Sequence, residues 1–155
     1  MPDTQLLASL ETDIETCTRL TELLEQEFVA LNERRLDELQ ALLADKQPLL
    51  ESLAQHASQR SQILLEQGQS ADADGFAALA SQSPLRERLQ DAHQRLHGLM
   101  EKCQTANLRN GRLIRTNQVS IGKALNIIRG NDGPALYDSS GSTAYKGMQR
   151  SFTRA

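Results

Sequence analysis

Aromatic side chains make up only 3% of this 155-residue chain, and tryptophan is absent. That scarcity argues against a sugar site, a base-stacking surface or an aromatic-lined ligand pocket. Glycine and proline are sparse before residue 129, where Leu, Gln, Glu, Ala and Arg abound; this is the composition of helices. No stretch approaches the ~18 apolar residues that span a bilayer. The start, Met1-Pro2-Asp3-Thr4, has neither the basic segment nor the apolar run of a signal peptide. There are two cysteines, Cys17 and Cys103, both at apolar-stripe positions. The expectation is a cytoplasmic protein with two buried, reduced thiols and no membrane insertion.

The usual chemical signatures are missing too. The chain holds no phosphate-binding glycine loop, dinucleotide fingerprint, nucleophile elbow or cysteine pair at metal spacing. His93 and His97 share a helix face, but further metal ligands are limited to Asp91 and Glu101, so they read as solvated histidines. Glu11, Glu15, Glu22 and Glu25 lie on one outer face and read as solvation, since nothing desolvates them. The expectation is no catalysis, no metal and no cofactor.

Charge is distributed unevenly. Residues 1–108 hold 9 Lys and Arg against 18 Asp and Glu, a balance of −9, whereas residues 109–155 hold 8 against 2, a balance of +6. The basic run Arg109, Arg112, Arg115, Lys123, Arg129 could follow phosphates, but few aromatics, an acidic pI of 5.6 and the lack of a recognition-fold signature speak against nucleic acid.

What is present is helical periodicity. Leu7, Leu10, Ile14, Cys17, Thr21, Leu24, Phe28 and Leu31 step by threes and fours, predicting a first helix over 3–31 capped by Asp3 or Thr4. Asn32-Glu33-Arg34-Arg35 interrupts the pattern. A second seam, Leu36, Leu39, Leu43, Leu50, Leu53, Ala57 and Leu64, predicts a helix over 36–67, kinked or broken at Pro48 and ended by Gly68. Residues 68–83 read as a linker, in which Phe76, Ala77 and Leu79 suggest one extra turn packed back on the bundle. Ser83-Pro84 opens a long helix whose stripe runs Leu85, Leu89, Ala92, Leu96, Leu99, Cys103, Ala106 and on to Ile128. Gly130-Asn131-Asp132-Gly133-Pro134 stops it. The fold class is all-α: an antiparallel three-helix bundle or extended helical hairpin over 1–128, with a flexible basic tail over 129–155.

The long helix changes character after residue 105. Asn107, Asn110, Gly111, Thr116, Asn117, Gln118 and Gly122 enter a segment that keeps its apolar stripe. Asn107 and Asn110 share a face and could bond a neighbouring backbone or set register. From Val119 to Ile128 the apolar residues cover more than one narrow face. Helices of about 30 residues cannot cover one of about 45, so the excess suits a partner's amphipathic helix, with self-association or a folded-back end the plainer alternative.

The run Asn110-Gly111-Arg112-Leu113-Ile114, then Ala124-Leu125-Asn126-Ile127-Ile128, then Leu136-Tyr137-Asp138-Ser139-Ser140-Gly141 resembles the C-terminal signature of the FlgN family of flagellar export chaperones. Leu39, Leu42, Lys46, Leu49 and Leu50 are similar to that family's leucine-and-lysine helix. The resemblance implies a small helical chaperone of the flagellar type III export system that holds the C-terminal helical segments of the hook-associated proteins FlgK and FlgL. It implies client binding by Asn107, Asn110, Leu113, Ile114, Asn117, Ile121, Leu125 and Ile128, and docking on the cytoplasmic domain of the export gate by Tyr137. The expected state is a monomer or weak dimer. The competing readings are a self-associating coiled-coil adaptor and a nucleic-acid-binding regulator.

Overall fold

A computed structural model of the chain describes the backbone of residues 1–128 and the side chains of residues 1–116. Among these residues there are four helices: α1 (Pro2–Asn32), α2 (Leu36–Glu66), α3 (Ala73–Ser81) and α4 (Arg86–Ile128). The expected tail, 129–155, lies outside the described residues.

Helix α1 starts with Met1 as its N-cap and Pro2 in its first turn, where the missing N–H is no loss. Neither Asp3 nor Thr4 is the cap. The Asp3 carboxylate instead accepts the Ser83 hydroxyl (2.7 Å), while Ser83 Oγ also accepts the Leu85 amide (3.0 Å). That bond pulls the carboxylate of Asp3 below its ordinary range. It also ties the entrance of α4 to the start of α1.

Both long helices before the linker end in the same way. At the end of α1 the Arg35 amide donates to Ala30 O (2.9 Å) and the Arg34 amide to Leu31 O (3.4 Å), with Arg34 at φ 56°. After α2 the Gln69 amide donates to Leu64 O (2.9 Å) and the Gly68 amide to Leu65 O (3.0 Å), with Gly68 at φ 73°. These are Schellman endings, which need a left-handed residue. Gly68 ends α2 as its sequence suggests. Helix α2 runs unbroken through Pro48, so no break occurs there. The single turn expected within the 68–83 linker is a full nine-residue helix, α3, started by Asp72, whose carboxylate accepts the Gly75 amide (2.8 Å) and the Ser70 hydroxyl (2.6 Å).

Helix α1 is the central element. It packs on α2 along one side and on α4 along the other, and α3 closes one end against α4 and α2. Pairs Asp13–Arg60 and Glu27–Lys46 show that α2 runs antiparallel to α1. Pairs Glu11–Arg88 and Glu25–Arg109 show that α4 runs parallel to it. Leu6, Leu7, Leu10, Cys17, Leu20 and Leu24 of α1 form the main core with Leu64, Phe76, Ala80, Leu89, Leu96 and Cys103, so all four helices share it.

The α2 seam differs from the leucine pattern. Leu36 is 72% exposed, Leu43 53% exposed, and Ala57 is exposed. Leu64 of that seam is buried as expected, but the longest inward run is Leu39, Leu42, Lys46, Leu49, Leu53, His56, Arg60 and Ile63, an unbroken alternation of three and four that covers eight positions. Three of the eight are cationic or titratable, which is why an apolar-only reading steps off this face.

Candidate partner-binding surface

Helix α1 carries the acidic partners for those three side chains. Asp13 is fully buried; its two oxygens meet His56 Nδ1 (2.5 Å) and Arg60 Nη1 (2.5 Å), and Arg60 also donates to Ser9 Oγ (2.8 Å). Glu27, 3% exposed, meets Lys46 Nζ at 2.7 Å; Lys46 is itself 2% exposed. Charges so far from water persist only when paired and hydrogen-bonded. The sequence reading passed over Asp13 and Glu27. They sit in a second heptad run, Leu6, Leu10, Asp13, Cys17, Leu20, Leu24, Glu27, Leu31, interleaved with the expected one. The signal was there as two acids, fourteen residues apart, at core positions.

Asn110 completes the second cluster from the α4 side. It is fully buried, and its Nδ2 donates to Leu24 O (2.8 Å) and Glu27 Oε1 (2.9 Å). Of the roles expected of it, the bond to a neighbouring backbone is the one seen. Its side chain is taken up inside the bundle and does not face a partner, because α1 covers this level of α4. Arg109, next to it, pairs with Glu25 (3.1 Å) and stacks on Phe28 with its guanidinium carbon 3.9 Å from the ring centre. The first member of the basic run therefore fastens α4 to α1. Glu11, Glu22 and Glu25 are exposed, as expected of solvated carboxylates.

His97 is exposed and pairs with Glu101 (3.0 Å). His93 is half-buried and stacks on Phe76, with ring centres 4.4 Å apart. Burial pushes its pKa below the ordinary histidine value, helped by nearby His97 and Arg60. Its surroundings thus differ from the solvated face expected. Cys17 and Cys103 are both buried free thiols, and Cys103 Sγ lies 3.2 Å from Thr21 Oγ1. Among the described residues no three side chains are grouped to hold a metal.

Two surface features of the described residues are wide enough to matter for a helical partner. The first is a groove of about 420 Å³ on the side where α2 and α4 diverge, floored by Leu20 and Leu24 of α1. Leu50 and Leu53 line one wall; Met100, Gln104, Asn107 and Leu108 line the other. The second is the far end of α4. Helix α4 has 43 residues against 31 each for α1 and α2. Arg109 stands beside Glu25 and Asn110 beside Glu27, so Asn32, the last residue of α1, is level with about residue 116. Residues 117–128 continue for another ~18 Å. Leu113 and Ile114 are half-buried just before that point. Asn117, Ile121, Leu125 and Ile128 follow at the steps of the stripe that faces α1 lower down; their side chains, and all of Tyr137, lie outside the described residues.

Among the described residues, α1 packs against both α2 and α4, and α4 is twelve residues longer than either. Residues 1–144 match the family described as FlgN protein. The chain belongs to the FlgN family, and with it to the proteins of flagellar biogenesis. A crystal structure of a protein described with flagella synthesis, FlgN of Pseudomonas aeruginosa, is similar at 42% identity and a TM-score of 0.68, over 79% of this chain and 94% of that one. No curated protein matches. No helix among the described residues is long and apolar enough to cross a membrane.

Proposed function

We propose that this protein is a non-catalytic, cytoplasmic chaperone of flagellar type III export. It binds the C-terminal helical segments of the hook-associated proteins FlgK and FlgL, prevents their premature pairing and brings them to the export gate. The observation that carries this reading is the length mismatch: α4 runs twelve residues past the end of α1, and its apolar stripe continues in the sequence to Ile128. A helix carrying such a stripe is stable when another helix covers it. Asn107, Leu113, Ile114, Asn117, Ile121, Leu125 and Ile128 form the proposed contact, and Asn110 supports it from inside by holding α4 in register. Tyr137, in Leu136-Tyr137-x-x-x-Gly141, is the proposed contact to the gate.

The test is size-exclusion with light scattering, using the full chain and the C-terminal helical segment of FlgK or FlgL. A one-to-one complex is expected. The triple variant Ile121→Asp, Leu125→Asp, Ile128→Asp loses it while keeping its helicity. A multimer of the chain alone, with no complex, would replace this reading by the self-associating adaptor.

A further inference from the structure

Two of the exposed leucines of α2, Leu36 and Leu43, lie in line with Leu50, which is partly buried against the core. Leu36, Leu43 and Leu50 recur every seventh residue, so they share one face of α2. Leu50 lines the groove between α2 and α4, and Leu43 and Leu36 prolong that wall at 53% and 72% exposure. Across from them Met100 and Leu108 are each 46% exposed. Such a spaced row of exposed apolar side chains fits a helix that brings its own stripe.

The chain contains a matching segment. Near its end, Tyr145, Met148 and Phe152 are spaced three and four apart, and Lys146, Arg150 and Arg154 recur every fourth residue beside them. Three of the chain's five aromatic residues, Tyr137, Tyr145 and Phe152, fall after residue 136. Residues 145–154 carry three positive charges and no acid, whereas residues 1–108 balance at −9. Glu101 lines the groove, and Glu27 already neutralises Lys46 at its base. Reach is sufficient. The sixteen residues 129–144 span up to ~55 Å extended. The way back along α4 from Ile128 to Gln104 is ~36 Å.

We propose that residues 145–154 of this chain dock in the α2–α4 groove, with Tyr145, Met148 and Phe152 against Leu43, Leu50, Met100 and Leu108. The tail is then a cover for the bundle's exposed apolar wall, held by its basic stripe against an acidic body. Neither the client nor the gate is needed for this contact, so it stands or falls apart from the export reading.

Methionine oxidation reads it directly in the full-length protein, because Met100 lies in the groove and Met1, 87% exposed, is an internal reference. With dilute hydrogen peroxide and mass spectrometry, the ratio of Met100 to Met1 oxidation is expected to rise several-fold in the Met148→Asp, Phe152→Asp double variant. It should also rise when salt screens the basic stripe. Circular dichroism checks that the variant keeps its helices. An unchanged ratio in a folded variant overturns the proposal. Protection of Met100 that grows with protein concentration overturns it as well, by placing a second copy in the groove.

Discussion

A lysine only 2% exposed and an asparagine fully buried are unusual at the heart of a small bundle, and both converge on Glu27. Removing one partner leaves a charge in a dry place. Lys46→Met is therefore expected to lower the unfolding free energy by about 3–5 kcal/mol in urea titrations. Adding Glu27→Leu should restore part of that loss, because an apolar pair needs no counter-charge, while Asn110 Nδ2 keeps Leu24 O but loses its second acceptor. His93 behaves differently. Its folded-state pKa lies below the ordinary value because it is buried against Phe76. The unfolded chain thus takes up the proton first. Stability from this residue is intact above the unfolded value of ~6.5, declines as pH falls below it, and levels off below the folded value. Urea midpoints from pH 8 to 5, compared with those of His93→Gln, should show a shallower acid loss in the variant.

Among the elements, the ends of α1 and α2 make a controlled comparison, since the same hydrogen-bond pattern uses Arg34 in one and Gly68 in the other. A residue with a Cβ is strained in the left-handed region and glycine is not. Arg34→Gly is expected to stabilise by about 1 kcal/mol, and Gly68→Ala to destabilise by a similar amount; thermal midpoints decide both. Helix α4 divides into a part held by α1 and a part beyond it. A chain ended after Thr116 keeps Asn110, Arg109 and the whole core. It should unfold as cooperatively as the full protein while losing the hook-associated client. Undiminished client binding by that truncated chain would relocate the site to the bundle.

For the molecule as a whole, the shared core joins all four helices, including the short α3 through Phe76 and Ala80. Unfolding by heat should therefore be a single transition in both calorimetry and far-ultraviolet circular dichroism. Gly75 provides a probe: a Cβ there would collide with the backbone carbonyl of Ser70, which the Asp72 cap holds in place. Gly75→Ala should lower that one transition rather than melt α3 ahead of it. The −9 charge of residues 1–108 and the apolar α2–α4 groove are also properties of the whole, since neither helix wall forms the groove alone.

Periodicity and composition determined by themselves that the chain is all-α, where its long helices lie to within two residues, that Gly68 ends α2, and that the last helix outruns the others. These are local matters of propensity, capping and apolar spacing. The resemblance over residues 110–141 pointed to the family. Tertiary structure alone decided which faces turn inward. One helix serving two neighbours needs two seams, and on the α2 side Asp13, Glu27, Lys46, His56 and Arg60 occupy positions that a hydrophobic pattern assigns to leucine. An ion pair is legible only when both partners are seen together, because each charge alone reads as surface. For the same reason Leu36 and Leu43 looked like core and Asn110 like a contact residue. Burial depends on which helix stands opposite, and spacing along a single helix carries no record of that.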